Sequence, residues 1–164
     1  MSTEDAPAAA AATPEAKAAP QLNIRAQITR ALTFTNPGAL KRYEKTPTIA
    51  VNINVDASKG GESDYIVGLK IEANAKAEEE AVYSLSLDYA GVFNLTNVES
   101  KMLEPILLVE CPRLLFPFAR RIIADITRDG GYQPMMLDPV DFVALYRREL
   151  DRRQSAQAAA ATVN

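Results

Sequence analysis

The chain has 164 residues, 48% of them hydrophobic and 24% charged, with 18 Lys+Arg against 21 Asp+Glu and a formal net charge of −3. Those figures fit one soluble globular domain. With no histidine, no tryptophan and a single cysteine, Cys111, the chain cannot build a Ser-His-Asp or Cys-His nucleophile, a His-ligated metal, an intrachain disulfide or a four-Cys site.

Residues 1–20 hold nine Ala and three Pro. They lack the large apolar groups that offset ordering entropy, so a disordered tail is expected there. The acidic start, Glu4-Asp5, lacks the basic start and apolar core of a signal peptide. No window approaches the roughly 18 apolar residues of a membrane span. With one thiol and no secretory segment, a reducing cytoplasm is expected, with no direct membrane insertion. The mild acidic balance gives no drive toward nucleic acid.

The domain is expected over 21–153. Leu22, Ile24, Ala26 and Ile28 alternate with polar neighbours, Arg30 interrupts, and Leu32 and Phe34 resume. This predicts a strand with an irregularity near Arg30–Ala31, ended by Asn36-Pro37-Gly38. A loop over 38–47 leads to a second strand carrying Ile49, Val51, Ile53 and Val55. The third strand carries Tyr65, Val67, Leu69, Ile71 and Ala73, and the fourth Ala81, Tyr83, Leu85, Leu87 and Tyr89. Short loops between consecutive strands favour an antiparallel meander.

From about Glu99 the period becomes helical: Met102, Leu103, Ile106 and Leu107 lead into Leu114, Leu115, Phe118, Ile122 and Ile126. Pro105, Pro112 and Pro117 predict a kinked or segmented helix. Gly130-Gly131 stops it. Asp138-Pro139-Val140-Asp141 reads as the next helix start, with Asp138 as cap. That helix is expected to end near Arg153, leaving 154–164 as a disordered tail. The whole is α+β: a four-stranded antiparallel sheet followed by two helices packed on one face. The Leu114–Ile126 stretch is apolar around more of its circumference than one sheet face needs. A second copy of the chain is the simplest cover, with Leu115, Phe118, Ile122 and Ile126 as interface residues.

Charge is uneven. Between Asp56 and Glu110 eleven acids oppose four bases, a local charge of −7. This is either a solvated face or a docking face for a basic partner. No catalytic, cofactor or metal site emerges. Asp125 and Asp129 sit among arginines as an ion-pair ladder, and Glu78-Glu79-Glu80 is a solvated hairpin tip. Gly60-Gly61 and Gly130-Gly131 lack the context and lysine of a phosphate cradle. Cys111 lies among Leu107, Leu108, Val109, Leu114 and Leu115 and reads as a buried small hydrophobe. More informative is the connecting stretch Gly131–Phe142, which carries two methionines, Met135 and Met136, and two aromatics, Tyr132 and Phe142, with Leu137. A loop this apolar either plugs the core or lines a groove suited to varied partners.

Cys111-Pro112-Arg113-Leu114-Leu115-Phe116-Pro117-Phe118-Ala119-Arg120 resembles the helix signature of the SecB family of bacterial protein-export chaperones. Leu137-Asp138-Pro139-Val140-Asp141-Phe142, followed by Ala144-Leu145-Tyr146, resembles the start of that family's second helix. Phe34-Thr35-Asn36-Pro37 and Ala90-Gly91-Val92-Phe93 resemble its first-strand end and fourth-strand exit. The resemblance implies a cytosolic homotetramer, a dimer of dimers with helices between sheets. It implies ATP-independent holding of unfolded preproteins and their delivery to the translocation ATPase SecA. It also implies a client groove, mapped here onto Tyr43, Ile49, Val51, Ile53, Met135, Leu137, Phe142, Leu145 and Tyr146. Tyr43 stands where the family usually has Trp, in a crossover loop about two residues short.

The family's SecA-docking acids correspond to Ala31, Thr35 and Ser86, with Ser84 at the neighbouring leucine position; none of the four is acidic or apolar enough to match except in place. Glu72 and Asp88, with Ser86, are the residues that could form a docking face. Two other readings stay open. One is a SecB-like chaperone dedicated to another client, for example an antitoxin. The other is an oligomeric scaffold that binds no client.

Overall fold

Strand β1 (Gln21–Thr35) opens the fold, β2 spans Thr48–Lys59, β3 Asp64–Ala77 and β4 Glu80–Thr96. This computed structural model describes residues 18–161. The expected N-terminal tail, apart from 18–20, and the last three residues lie outside that range. All pairings are antiparallel, but the order is β1-β4-β3-β2. The meander expected from the sequence therefore holds for β2, β3 and β4 only. The crossover 36–47 carries the chain over to the far side of the sheet, so β1 lies beside β4 and the order is that of a Greek key. Alternation identifies strands but carries no information about their neighbours, and a twelve-residue connection can span three strands.

β1 departs from regular pairing twice, between Ile24 and Ala26 and between Thr29 and Ala31. The second shift coincides with the irregularity predicted at Arg30. Between the shifts Ile28 pairs with Ala90 and turns to the outer face, where it is 51% exposed. β4 runs seven residues past Tyr89, so Ala90–Phe93 lie inside the strand.

The helical region is continuous. Helix α1 (Ser100–Pro105) passes into a π-helical turn (Ile106–Glu110) and then into α2 (Cys111–Asp129). Pro112 has no N–H for the Leu108 carbonyl, and its ring crowds that oxygen. The wider turn, closed by the Cys111 N–H onto the Ile106 carbonyl, accommodates the crowding without breaking the helix. The segmentation expected from the prolines is thus a change of winding. At the far end the Tyr132 N–H reaches the Thr127 carbonyl (3.1 Å) and the Gly131 N–H the Arg128 carbonyl (2.9 Å). Gly131 sits at φ +90°, so the stop is a Schellman motif, as the glycine pair implied.

Helix α3 spans Phe142–Ala161. Its cap is Asp141, not Asp138: the Asp141 carboxylate accepts the Ala144 N–H (3.0 Å) and its carbonyl accepts that of Leu145 (3.1 Å). The segment offers two acids three residues apart, and Pro139 suits extended chain as well as a first helical turn. α3 also continues through Gln154–Ala161, beyond the expected end at Arg153.

The core lies between the inner sheet face and α2. Val67, Leu69 and Ile71 of β3 and Leu87 and Phe93 of β4 meet Leu115, Ala119 and Ile123, all of them fully buried. Each large side chain contributes about 1.5–3 kcal/mol by burial. Leu115, expected at an oligomer interface, is one of these core residues, packed under Gly91. α2 covers β3 and β4, whereas α3 leans on the π-helical turn. Both edge strands are therefore left partly uncovered.

Candidate functional site

β2 is an edge strand that pairs with β3 through all twelve residues in unbroken register. Ile49, Val51, Ile53 and Val55 take the inner phase, opposite Ala75, Ala73, Ile71 and Leu69. No helix lies over its first half, so Ile49 is 41% and Val51 44% exposed. The loop after α2 faces this strip. Together Ile49, Val51, Ile53, Met135, Met136 and Leu137, with Asp138 at the rim, line a depression of about 370 Å³.

The loop is fixed from below. The Thr127 hydroxyl donates to the Ile123 carbonyl (2.8 Å) and accepts the Met135 N–H (2.9 Å). The Tyr83 hydroxyl donates to Met135 Sδ (3.7 Å). The Tyr132 hydroxyl donates to Asn36 Oδ1 (2.6 Å), and Asn36 Nδ2 donates to the Gly130 carbonyl (3.0 Å). Met135 and Leu137 are consequently buried, while Met136 projects at 60% exposure. The loop thus both plugs the core and lines a groove, by alternating residues. Phe142 is 1% exposed and meets Phe116 edge-on at 6.0 Å; it floors the site rather than lining it.

A second depression, of about 300 Å³, continues along β2. Ile53 is common to both, and Leu145 and Tyr146 line the second with Leu108. Its wall is polar: Arg148, Glu149, Arg152 and Arg153 stand on the α3 side, while Asn52 and Asn54, in the outer phase of β2 beside Glu72 and Lys70, border it. Hydrogen bonds from Arg152 (2.8 and 2.9 Å), then from Arg153 (3.1 Å), pull the Glu149 carboxyl down to about 2. Arg153 also reaches Glu104 at 2.6 Å, tying α3 to α1. Burial, with Glu104 nearby, pushes the Tyr146 hydroxyl up.

Of the nine predicted groove residues, eight gather here: Ile49, Val51, Ile53, Met135 and Leu137 at one end, Leu145 and Tyr146 at the other, and Phe142 beneath. Tyr43 does not join them. It lies in the crossover with Lys41 and Lys45, against Ala77–Glu80, where Lys41 pairs with Glu80 and Lys45 with Glu78, both at 3.1 Å. Sequence reasoning missed Thr127, a polar residue in an apolar helix stripe. It also missed the arginines of α3.

The outer sheet face holds the predicted docking residues together. Glu72 is directly opposite Ser86, and Lys70 opposite Asp88. The carboxylates are engaged: Asp88 with Arg30 (2.8 Å) and Glu72 with Lys70 (3.2 Å). Arg30 also reaches Asp56 (3.4 Å) and lies over Gly68, where a methyl group would strike it. On the other side of the molecule Phe118 is 45% and Leu114 41% exposed, and Ile122 and Ile126 are half-buried. Cys111 is buried, and burial, aided by Glu110, pushes its thiol up to about 12, outweighing any helix-dipole effect. Among the described residues no cluster of three or more His, Cys, Asp or Glu could hold a metal ion, and no helix is long and apolar enough to cross a membrane.

The family profile of the preprotein translocase subunit SecB matches residues 15–153. The chain belongs to the SecB family. It is 50% identical to the protein-export protein SecB of Rhodopseudomonas palustris (strain BisB5), over 87% of this chain and 92% of that one. It is 49% identical to that of Bradyrhizobium diazoefficiens, over 87% and 91%. Among solved structures it resembles the Mycobacterium tuberculosis Rv1957 SecB-like chaperone, in complex with a ChAD peptide from the Rv1956 HigA1 antitoxin. That match has a TM-score of 0.62 at 14% identity, covering 73% of this chain and 90% of the other, and shows a shared SecB-like fold.

Proposed function

We propose that this chain is an ATP-independent chaperone that holds unfolded preproteins along β2 and hands them to SecA. The observation that carries the reading is the pair of apolar inner-face residues, Ile49 and Val51, left more than two-fifths exposed beside the Met135–Leu137 loop. A plain core would cover them; a binder of unfolded chains needs them open. Each client side chain buried there contributes roughly 1.5–3 kcal/mol. Ordering the client offsets much of this, so several weak anchors are needed. The free edge of β2 adds unpaired backbone donors and acceptors for an extended segment.

Assembly as a dimer of dimers in the cytoplasm multiplies the grooves and raises avidity through effective concentration. The exposed Leu114 and Phe118, with Ile122 and Ile126, are the surface for it. The SecA contact is assigned to the outer face at Glu72, Ser86 and Asp88. Their existing ion pairs favour a second reading, a SecB-like chaperone serving a dedicated client instead of SecA traffic. The test is suppression of aggregation of an unfolded preprotein by wild type and Val51→Arg, with a SecA pull-down beside it. Wild type is expected to suppress aggregation at least tenfold better than the variant. Equal activity in a folded, assembled variant overturns the groove. Activity without SecA capture leaves the dedicated-client reading.

A further inference from the structure

The loop that walls the first depression is also held from the opposite edge of the sheet. Asn36, the first residue after β1, presents one amide to two groups at the start of that loop. Its Oδ1 accepts the Tyr132 hydroxyl at 2.6 Å, and its Nδ2 donates to the Gly130 carbonyl at 3.0 Å. A carboxamide supplies an acceptor and a donor in one plane, which neither a carboxylate nor an alanine can do. Phe34 closes the same joint: a methyl group on Gly130 would stand 2.6 Å from its ring. Two residues on, the buried Gly38 donates its N–H to the Val82 carbonyl at 2.9 Å, so the start of the crossover is itself fixed on β4. From this joint contacts run to the groove wall. The Tyr132 ring lies 4.9 Å from that of Tyr83, whose hydroxyl donates to Met135 Sδ. Tyr132 is half-buried, while Gly131, Gln133 and Pro134 around it are exposed. The Gly131 and Tyr132 N–H groups already close the helix stop. What the bonds to Asn36 add is the posture of the segment that leads to Met135.

We propose that Asn36 and Tyr132 are positioning residues for client binding. Their hydrogen bond, between residues 96 positions apart, holds the Met135–Leu137 wall at a fixed spacing from Ile49 and Val51, so the depression is formed before a client enters it. The inference rests on the chaperone reading and adds to it a joint, outside the groove, that sets the groove's affinity. Ordering a loop costs conformational entropy. With the joint made, that cost falls on folding. Without it the cost falls on the client, and the apparent affinity drops by the fraction of molecules whose loop is in place.

The test measures binding of a labelled ten-residue peptide of Val, Leu and Phe to the full-length protein. The variants are Tyr132→Phe, which removes the hydroxyl and keeps the ring, Asn36→Ala, and the two together. Each single variant is expected to bind about three- to tenfold more weakly, the scale of one net hydrogen bond. The double variant is expected within twofold of Asn36→Ala, because the two residues act through one contact. Asn94→Ala is the matched loss elsewhere: it removes side-chain bonds to Asp64 (2.7 Å) and to the Ser63 carbonyl (3.4 Å) beyond the other end of the groove. It is expected to leave binding within twofold, since a domain of ordinary stability stays folded after such a loss. Binding within twofold of wild type by either single variant overturns the inference and leaves the chaperone reading intact. So does a double variant whose loss is the product of the two, or an equal loss in Asn94→Ala. No binding of the peptide by wild type overturns the chaperone reading and this inference together.

Discussion

The two edges of the sheet expose apolar residues from the same inner phase, yet their surroundings differ. On β1, Ile24 and Leu32 are each 41% exposed, and a depression at the start of the strand is walled by Leu22, Val98, Ile106 and Leu114 with Gln21 and Glu110. Two register shifts break the strand, so its backbone offers no long regular edge. On β2, Ile49 and Val51 are as exposed, but the strand is unbroken and its neighbours include the arginines of α3. An edge that meets one fixed surface can be shaped to it, bulges included. An edge that meets many chains does better to stay regular and let backbone pairing do the recognition. The contrast fits β1 and the adjoining α2 face as a self-contact, and β2 as the client side.

The largest break in this comparison comes from Phe118→Arg. If the α2 face is the self-contact, burying unpartnered arginines there costs several kcal/mol, and sedimentation is expected to show smaller species. Peptide binding to the β2 groove by those species is expected to persist. Unchanged sedimentation removes the self-contact. Next in size is Phe142→Ala, which hollows the floor of the β2 groove. A loss of about 3–5 kcal/mol in urea unfolding is expected. Thr127→Val is more selective. It leaves the buried Met135 N–H unsatisfied, at about 1–3 kcal/mol, and is expected to weaken peptide binding while assembly is unchanged. The smallest effect is acidic. The Glu149 carboxyl is held below its ordinary 4.5, at about 2, so its clasp stabilises above 4.5 and is lost as pH falls toward 2. Circular dichroism should show α3 losing helicity over that window. Glu149→Gln removes that part of the acid limb, and an unchanged limb refutes the clasp.

Much of this architecture was legible in the residues. Alternation located every strand and the period change located α2, because the inner face of a sheet and the stripe of a helix leave distinct spacings. The Gly130-Gly131 stop was equally legible, since only a residue tolerant of positive φ fits there. What the pattern could not carry was adjacency: nothing in the spacing of Leu22 or Ile24 shows that their neighbour is β4. It also could not rank residues within an apolar stripe. Leu115 and Phe118 are three apart, yet one is core and the other exposed. Asp138 was the expected cap, yet Asp141, three residues on, accepts the Ala144 N–H. The eight groove residues came from the family resemblance. The arginine wall was hidden because a charged helix face looks solvated until a strand is seen beside it.

Because β2 keeps its register from Thr48 to Lys59, it can act as a template: a chain laid straight beside it takes up its shape, whatever the side chains. Two copies of β2 could do the same to each other and fuse two sheets into one. Asp56 and Lys59 put charge at one end, but Thr48–Val55 is uncharged, and charge is the usual deterrent on such an edge. The deterrent for that stretch then falls to competition. On the proposed reading, unfolded chains shield it while they are abundant, and when they are scarce the edge is open to its own kind. Prolonged storage at high concentration without clients is the condition in which this strand would seed aggregates.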